Sequence, residues 1–323
     1  MKKERFIKKF TKAVQEGNAA VFAGAGTSVD AGFVDWKKLV EPFANEIDLD
    51  IKKETDLIGL TQFYINKKKG NRGTVNQEII DQFSSPDAET DVMNLLTRIP
   101  ISTYWTTNYD KVIENGLVKN NRKGDIKRNT DNLAISVPDS DAVVYKMHGD
   151  VDIPGEVVIS KDDYERYNEK RSLFVTALRG DLVSKTFLFV GFSFEDPNLE
   201  SILGKVNVLL GDNKREHYCI QRYVSKDDYK SEEEYIYAKI KQDLKIKDLL
   251  IYGIETILVN DYNEIPKLLL EIEREYLKNT IFVSGSISDF NEYWSEEKVN
   301  QYCYELSSFL FSKDYKIISG FGL

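Results

Sequence analysis

A chain of 323 residues, 41% hydrophobic and 12% aromatic, can bury a large core and is long enough for one large α/β domain plus a smaller unit. Its formal charge of −9 argues against a nucleic-acid or anionic-membrane surface as the main partner. Its two cysteines, Cys219 and Cys303, imply no disulfide framework and cannot make a Cys₄ zinc module. No apolar run approaches the length required to cross a bilayer. Met1-Lys2-Lys3-Glu4-Arg5 leads into an amphipathic segment instead of a signal-peptide core, so a soluble, reducing, cytoplasmic setting is expected.

Phe6, Ile7, Phe10, Ala13 and Val14 recur at helical spacing, and Gly17-Asn18 can end that helix. A first strand is expected at residues 19–23, entering Gly24-Ala25-Gly26-Thr27-Ser28. Two glycines without Cβ let this backbone turn tightly and approach a ligand, and the N–H groups of a helix expected after it favour an anion. That is the logic of a dinucleotide pyrophosphate site. The spacing is not G-x-G-x-x-G, since Val29 follows and the next glycine is Gly32; alone, the loop reads equally well as a tight turn.

Residues 36–47 read as a helix that Pro42 kinks or breaks. Segments 54–66, 75–83 and 88–98 also look helical, which puts a helical insertion between the first and second strands. The second strand, 101–106, follows Pro100 and runs into Thr107-Asn108-Tyr109-Asp110. A third strand at 142–147 ends at His148-Gly149-Asp150, with a short extra strand expected at 156–160 and helical stretches over 161–184. The fourth, 187–190, ends at Gly191-Phe192-Ser193, and 217–222 and 255–259 complete a set of six. Short apolar runs separated by helices predict a doubly wound, mainly parallel, six-stranded Rossmann-like sheet.

A helix at 265–276 closes this unit, and 277–279 reads as a linker, giving a catalytic domain over 1–278. A strand-to-glycine turn at 280–286, a helix at 293–311, and a strand and loop at 315–322 then open a second nucleotide-binding-like domain, 279–323. So short a segment cannot form an independent α/β domain, so the sequence is expected to be part of a longer protein.

The polar residues at the strand ends each admit two readings. Asn108 and Asp110 could cap the following helix or contact a ligand. His148 could be a packed histidine or a base, and Ser193 could only line the turn before Glu195-Asp196-Pro197-Asn198. Trp36 suits a core position as well as a cleft wall, and His217, at a strand start, reads as structural. With the glycine loop, these segments converge on one crevice at the strand ends, which makes function the better explanation of Asn108 and His148.

The run from Gly24 to Lys37 resembles the sirtuin signature G-A-G-x-S-x-x-x-G-I-P-D-F-R, with Asp35 matching, Trp36 for Phe and Lys37 for Arg. Thr106-Thr107-Asn108-Tyr109-Asp110 resembles T-Q-N-I-D, with Thr107 in place of Gln. Met147-His148-Gly149-Asp150 resembles L-H-G, whose histidine is that family's general base. Gly191-Phe192-Ser193 resembles G-T-S without the central Thr. The resemblance, spanning residues 1 to about 260, implies a sirtuin-type fold that binds NAD+. Gly24, Ala25, Gly26 and Ser28 would hold the pyrophosphate, with Gly191 and Ser193 assisting. Asp35, Trp36 and Thr107 would belong to the same site, Trp36 shielding the ribose face. Asp110 would accept a hydrogen bond from the carboxamide N–H.

Nicotinamide leaves NAD+ readily because departure neutralises its pyridinium charge. Asn108 would position ribose and water, and His148, with an ordinary pKa near 6.5, would accept the proton. Sirtuin deacylases carry two C-x-x-C zinc pairs, and none exists here, which argues against an acyl-lysine cleft and for water as acceptor. No metal is expected. A zinc-free sirtuin-like domain followed by a second Rossmann-like start resembles the NADase family of bacterial Thoeris antiphage systems. That likeness implies an NAD+ hydrolase working as a homo-oligomer. A SLOG-like sensor marked by Gly285, Ser286, Gly320 and Gly322 would bind a cyclic ADP-ribose-type activator and trigger NAD+ depletion. Two other classes stay open: an NAD-dependent protein deacylase, and a catalytically silent nucleotide-binding module.

Overall fold

Every residue of β1 (Ala19–Ala23) is buried, as a central strand covered on both faces requires. In the computed structural model, which describes residues 3–194, 196–283, 291–313 and 315–319, β1 pairs in parallel with β2 (Thr103–Thr106) on one side and β5 (Thr186–Val190) on the other. Outward from β2 lie β4 (Ala142–Lys146) and the edge strand β3 (Gly124–Lys127); outward from β5 lie β6 (His217–Arg222) and β7 (Ile254–Val259). Among the described residues this makes a seven-stranded, all-parallel sheet in the order β3-β4-β2-β1-β5-β6-β7.

One face carries α1 (Lys3–Gln15), the inserted helices α2 (Trp36–Glu46), α3 (Leu57–Lys67), α4 (Gly73–Phe83) and α5 (Asp91–Arg98), then α6 (Val112–Lys119). The short α7 (Thr130–Leu133), α8 (Lys161–Glu165) and α9 (Tyr167–Lys170) lead to α10 (Ser172–Ser184). Together with α11 (Pro197–Leu210) and the end of α12 (Glu232–Ile251), α10 covers the other face. The final helix of the sheet domain, α13 (Ile265–Leu277), returns to pack beside α1 and α5 on the first face. The strands alternate between the two cores: Val21, Tyr104 and Leu188 point to the first, while Phe22, Trp105 and Phe189 point to the second. Trp105 stacks on Tyr145 with ring centroids 4.1 Å apart, and its indole N–H donates to Asp181 at 2.8 Å. Burying each such aromatic contributes about 1.5–3 kcal/mol.

Two expectations need correction. The sheet has seven strands, not six, because β3 reads Gly-Asp-Ile-Lys and shows no apolar run. Its buried residues are Asp125 and Lys127, which satisfy each other in an ion pair of 2.8 Å. Residues 156–160 form no strand; after a 3₁₀ turn at Pro154–Glu156 the chain bonds loops instead, Val158 N–H to the His148 carbonyl at 2.9 Å and the Tyr109 hydroxyl to the Val158 carbonyl at 2.7 Å. The helix expected over 36–47 is α2, which runs through Pro42, so of the kink and the break expected there the break is absent.

Beyond α13, β8 (Thr280–Val283) and β9 (Lys316–Ser319) pair in parallel around α14 (Glu296–Ser312). Trp294 is exposed just before α14, its ring edge-on to Tyr302. Gly285, Ser286, Gly320 and Gly322 lie outside the described residues.

Candidate functional site

Sheet growth reverses between β1 and β5, so their carboxyl ends flank the topological switch point, where open α/β sheets bind ligands. There the two following loops touch. Gly24 N–H donates to the Val190 carbonyl and Gly26 N–H to the Gly191 carbonyl, each at 2.9 Å. A Cβ on Gly24 would sit 2.4 Å from the Gly191 carbonyl oxygen, and Gly191 itself has φ of +64°. The glycines are thus required by the contact between loops, whatever they do for a ligand.

The helix expected after the loop starts where the sequence placed it and not at the loop itself. Two single 3₁₀ turns, Ala25–Thr27 and Val29–Ala31, stand there, and α2 begins only at Trp36. Thr27 N–H returns to the Gly24 carbonyl and Ser28 N–H to the Ala25 carbonyl, both at 3.0 Å. Four of the loop's backbone donors are therefore already engaged. A helix-dipole cradle of the kind read from the sequence is not built here.

A cleft of about 480 Å³ opens at the switch point. It brings together Ala25, Gly26, Ser28, Trp36, Thr107, Asn108, Asp110, His148, Gly191 and Ser193. Gly24 lies behind this wall, its carbonyl accepting from Asn108. Asp35 is exposed and caps α2 by accepting the Lys38 N–H at 2.8 Å.

Asn108 follows β2, its own N–H bound to the Thr106 hydroxyl at 2.9 Å. The amide Nδ2 donates to the Gly24 carbonyl and the Ser28 hydroxyl, both at 3.1 Å. Asp110 is buried and accepts the Val112 N–H at 3.0 Å, as a cap would. Burial pushes its carboxyl pKa up, against the pull of Lys146 and the hydrogen bonds from Val112 and Ser28. Trp36 is half-buried and stacks at 6.4 Å on Tyr164, forming an aromatic wall.

His148 ends the segment after β4 and is buried, with Tyr164 and Tyr167 edge-on at 5.6 and 5.9 Å. Gly149 beside it has φ of +94°, and a Cβ there would sit 3.0 Å from the Val157 Cα. Burial pushes the imidazole pKa down; Asp196 opposes that and Arg171 adds to it. Its Nε2 is 3.3 Å from Asp196 Oδ2, an ion-pair distance without hydrogen-bond alignment. His217 is elsewhere, at the start of β6, its Nδ1 accepting the Phe187 N–H at 3.2 Å.

Sequence reasoning missed two parts of this site. Asp196 and Tyr164 line or support the base, and the only hint was the Asp-Pro helix start at 196–197. Lys146, the last residue of β4 and two positions before His148, is fully buried. Its Nζ meets Glu114 at 3.1 Å, Asp150 at 2.7 Å and the Tyr109 carbonyl at 3.1 Å, with the Asp110 carbonyl alongside. Burial works against that ammonium, but Glu114, Asp150 and Asp110 outweigh it and hold its pKa above the ordinary value. A lysine ending an otherwise apolar strand was the signal for this cluster.

Comparison with known proteins matches a SIR2-like domain to residues 102–253 and a Sir2- and TIR-associating SLOG family to residues 264–323. The NAD(+) hydrolase ThsA of Bacillus cereus (strain MSX-D12) is 49% identical over 320 residues, covering 99% of this chain and 67% of the relative. The ThsA of Enterococcus faecium is 44% identical over 330 residues, covering 100% of this chain and 69% of that relative. The chain thus spans about two thirds of the length of these relatives. With those matches running through the sheet, the cleft and the segment beyond α13, the chain belongs to the ThsA family.

Proposed function

We infer that this protein cleaves NAD+ with water to nicotinamide and ADP-ribose. The observation that carries this reading is the meeting of Asn108, Asp110 and His148 with the Gly24–Ser28 loop at one switch-point cleft. With four loop N–H groups engaged in the chain itself, pyrophosphate contacts fall to the Ser193 hydroxyl beside the backbone of Ala25, Gly26 and Gly191, while the Ser28 hydroxyl, accepting from Asn108 and donating to Asp110, ties the loop to those two side chains. Trp36 and Thr107 wall the ribose side. Asp110 orients the carboxamide, Asn108 holds ribose and water, and His148 takes the proton. Neutral at physiological pH because burial disfavours its cation, the imidazole is free to accept that proton.

We further propose a catalytic unit over 1–278 and a sensor unit from 279, with a cyclic ADP-ribose-type ligand releasing activity in a homo-oligomer. The setting is the cytoplasm of a bacterium, where NAD+ depletion would act against phage. Among the described residues no helix is long and apolar enough to cross a membrane. Incubating the protein with NAD+ and the activator, then resolving products by chromatography, tests the reaction. Nicotinamide and ADP-ribose should appear without any acylated peptide and in the presence of a chelator. Turnover that required an acylated peptide and gave O-acyl-ADP-ribose would replace this reading with the deacylase, and loss in chelator would introduce a metal.

A further inference from the structure

Asp196, legible in the sequence only as a helix start, uses its two carboxylate oxygens for different purposes. Oδ1 accepts the Leu199 N–H at 2.9 Å and caps α11. Oδ2 faces the cleft, 3.3 Å from His148 Nε2, and accepts the Tyr164 hydroxyl at 3.2 Å. The carboxylate is thereby fixed from two sides, by a helix start and by a half-buried tyrosine, with the imidazole in front of it. The separation from Nε2 is an ion-pair distance, and a small turn of the imidazole would align the two groups.

We propose that Asp196 is the positioning residue of the His148 base: it draws the ring hydrogen to Nε2, leaves Nδ1 to receive the proton, and stabilises the imidazolium that results. This rests on the reading of His148 as general base. In the step itself, the water oxygen bonds to ribose C1′ as the bond from C1′ to the nicotinamide nitrogen breaks. Nicotinamide keeps that electron pair and leaves neutral, and the proton of the water passes to Nδ1. A buried cation then exists transiently. The charged and titratable groups packed around the ring are Asp196 at the start of α11, Tyr164 on α8, Tyr167 on α9 and Arg171 before α10. Of these, the Asp196 carboxylate favours the imidazolium, while Arg171 and burial oppose it. An acid in this place holds a histidine in the right tautomer, the part a buried aspartate takes beside other catalytic imidazoles.

The test is the pH profile of NAD+ hydrolysis by the activated full chain, comparing the wild type with Asp196→Asn, Asp196→Ser and His148→Ala. Asn and Ser both cap helices well, so each variant removes the charge while keeping α11 anchored, and thermal melts verify the fold. Plateau kcat should fall about tenfold or more in both Asp196 variants, with KM little changed. The acid limb should move about one pH unit lower, because the group that favours the protonated ring is gone. A lowered rate with an unmoved limb in folded variants would reduce Asp196 to a helix cap and overturn the proposal, as would unchanged kinetics. An inactive His148→Ala beside an unmoved limb would remove only the positioning role. Retained activity in His148→Ala would remove the base reading and this proposal with it.

Discussion

Lys146 is fully buried against Glu114 and Asp150, directly beneath the Asn108–Asp110 turn. Lys146→Met fills the space but strands those carboxylates, and removing one partner of a buried pair costs about 3–5 kcal/mol. Urea unfolding should report a loss of that size, and NAD+ turnover should fall with it as the turn loses its anchor. A variant as stable as wild type would mean that the acids simply take up protons. His217 offers a pH test with the opposite economy of charge. Its Nδ1 accepts a backbone N–H, and burial followed by Arg215 pushes its pKa down to about 3, so the fold needs the neutral ring. Its contribution is complete above the unfolded pKa of about 6.5 and is lost as pH falls towards the folded value, at up to about 1.4 kcal/mol per pH unit. The raised carboxyl of Glu114 works the other way, so the informative quantity is a difference between two proteins. Stability of His217→Gln, followed in urea from pH 7 to pH 4, should fall less steeply than that of wild type. Parallel curves would place the acid sensitivity elsewhere.

At the scale of elements, the two loops at the switch point behave as one unit. A Cβ on Gly24 would press on the Gly191 carbonyl oxygen and on the Phe192 Cα at 2.7 Å, both backbone atoms that cannot swing aside. Gly32 has φ of +86° but open space where a Cβ would go. Gly24→Ala should therefore cost about 1–3 kcal/mol and raise KM for NAD+, because the loops must part. Gly32→Ala should cost about 1–2 kcal/mol of backbone strain and leave KM alone. Equal KM values for the two would dissociate the loop contact from substrate binding. This contrast also marks what was legible beforehand. The largely apolar runs of β1, β2, β4 and β5 gave the parallel sheet, since central strands covered on both faces, as β1 and β5 are, read as near-continuous apolar runs. The turns after them placed Asn108 and His148 at one end. What stayed hidden was β3, whose inward residues are charged and neutralise each other, and Asp196, which approaches His148 across 48 positions of sequence. Pairwise neutralisation and long-range contact leave no trace in local pattern. The 3₁₀ turns after Gly24 were missed because a polar Thr-Ser start looks the same before a helix.

For the whole molecule, the sheet domain is closed by α13 lying against α1 and α5, which ties the end of that unit to its beginning. A chain truncated after Lys278 should therefore fold, melt cooperatively and ignore cyclic ADP-ribose isomers. A ligand response surviving that truncation would move the sensor into the sheet domain. The three tryptophans are distributed so that each region can be watched on its own. Trp105 lies wholly inside the second core, Trp36 lines the cleft against Tyr164, and Trp294 is exposed before α14. Their emission should differ accordingly: blue-shifted and insensitive to quencher for Trp105, red-shifted and readily quenched for Trp294, intermediate for Trp36. In a variant that keeps Trp36 alone, nicotinamide and its dinucleotide would quench by stacking or by excluding water. Substrate entry, core melting and the state of the carboxyl-terminal segment thus have separate optical channels, written into the chain without a label.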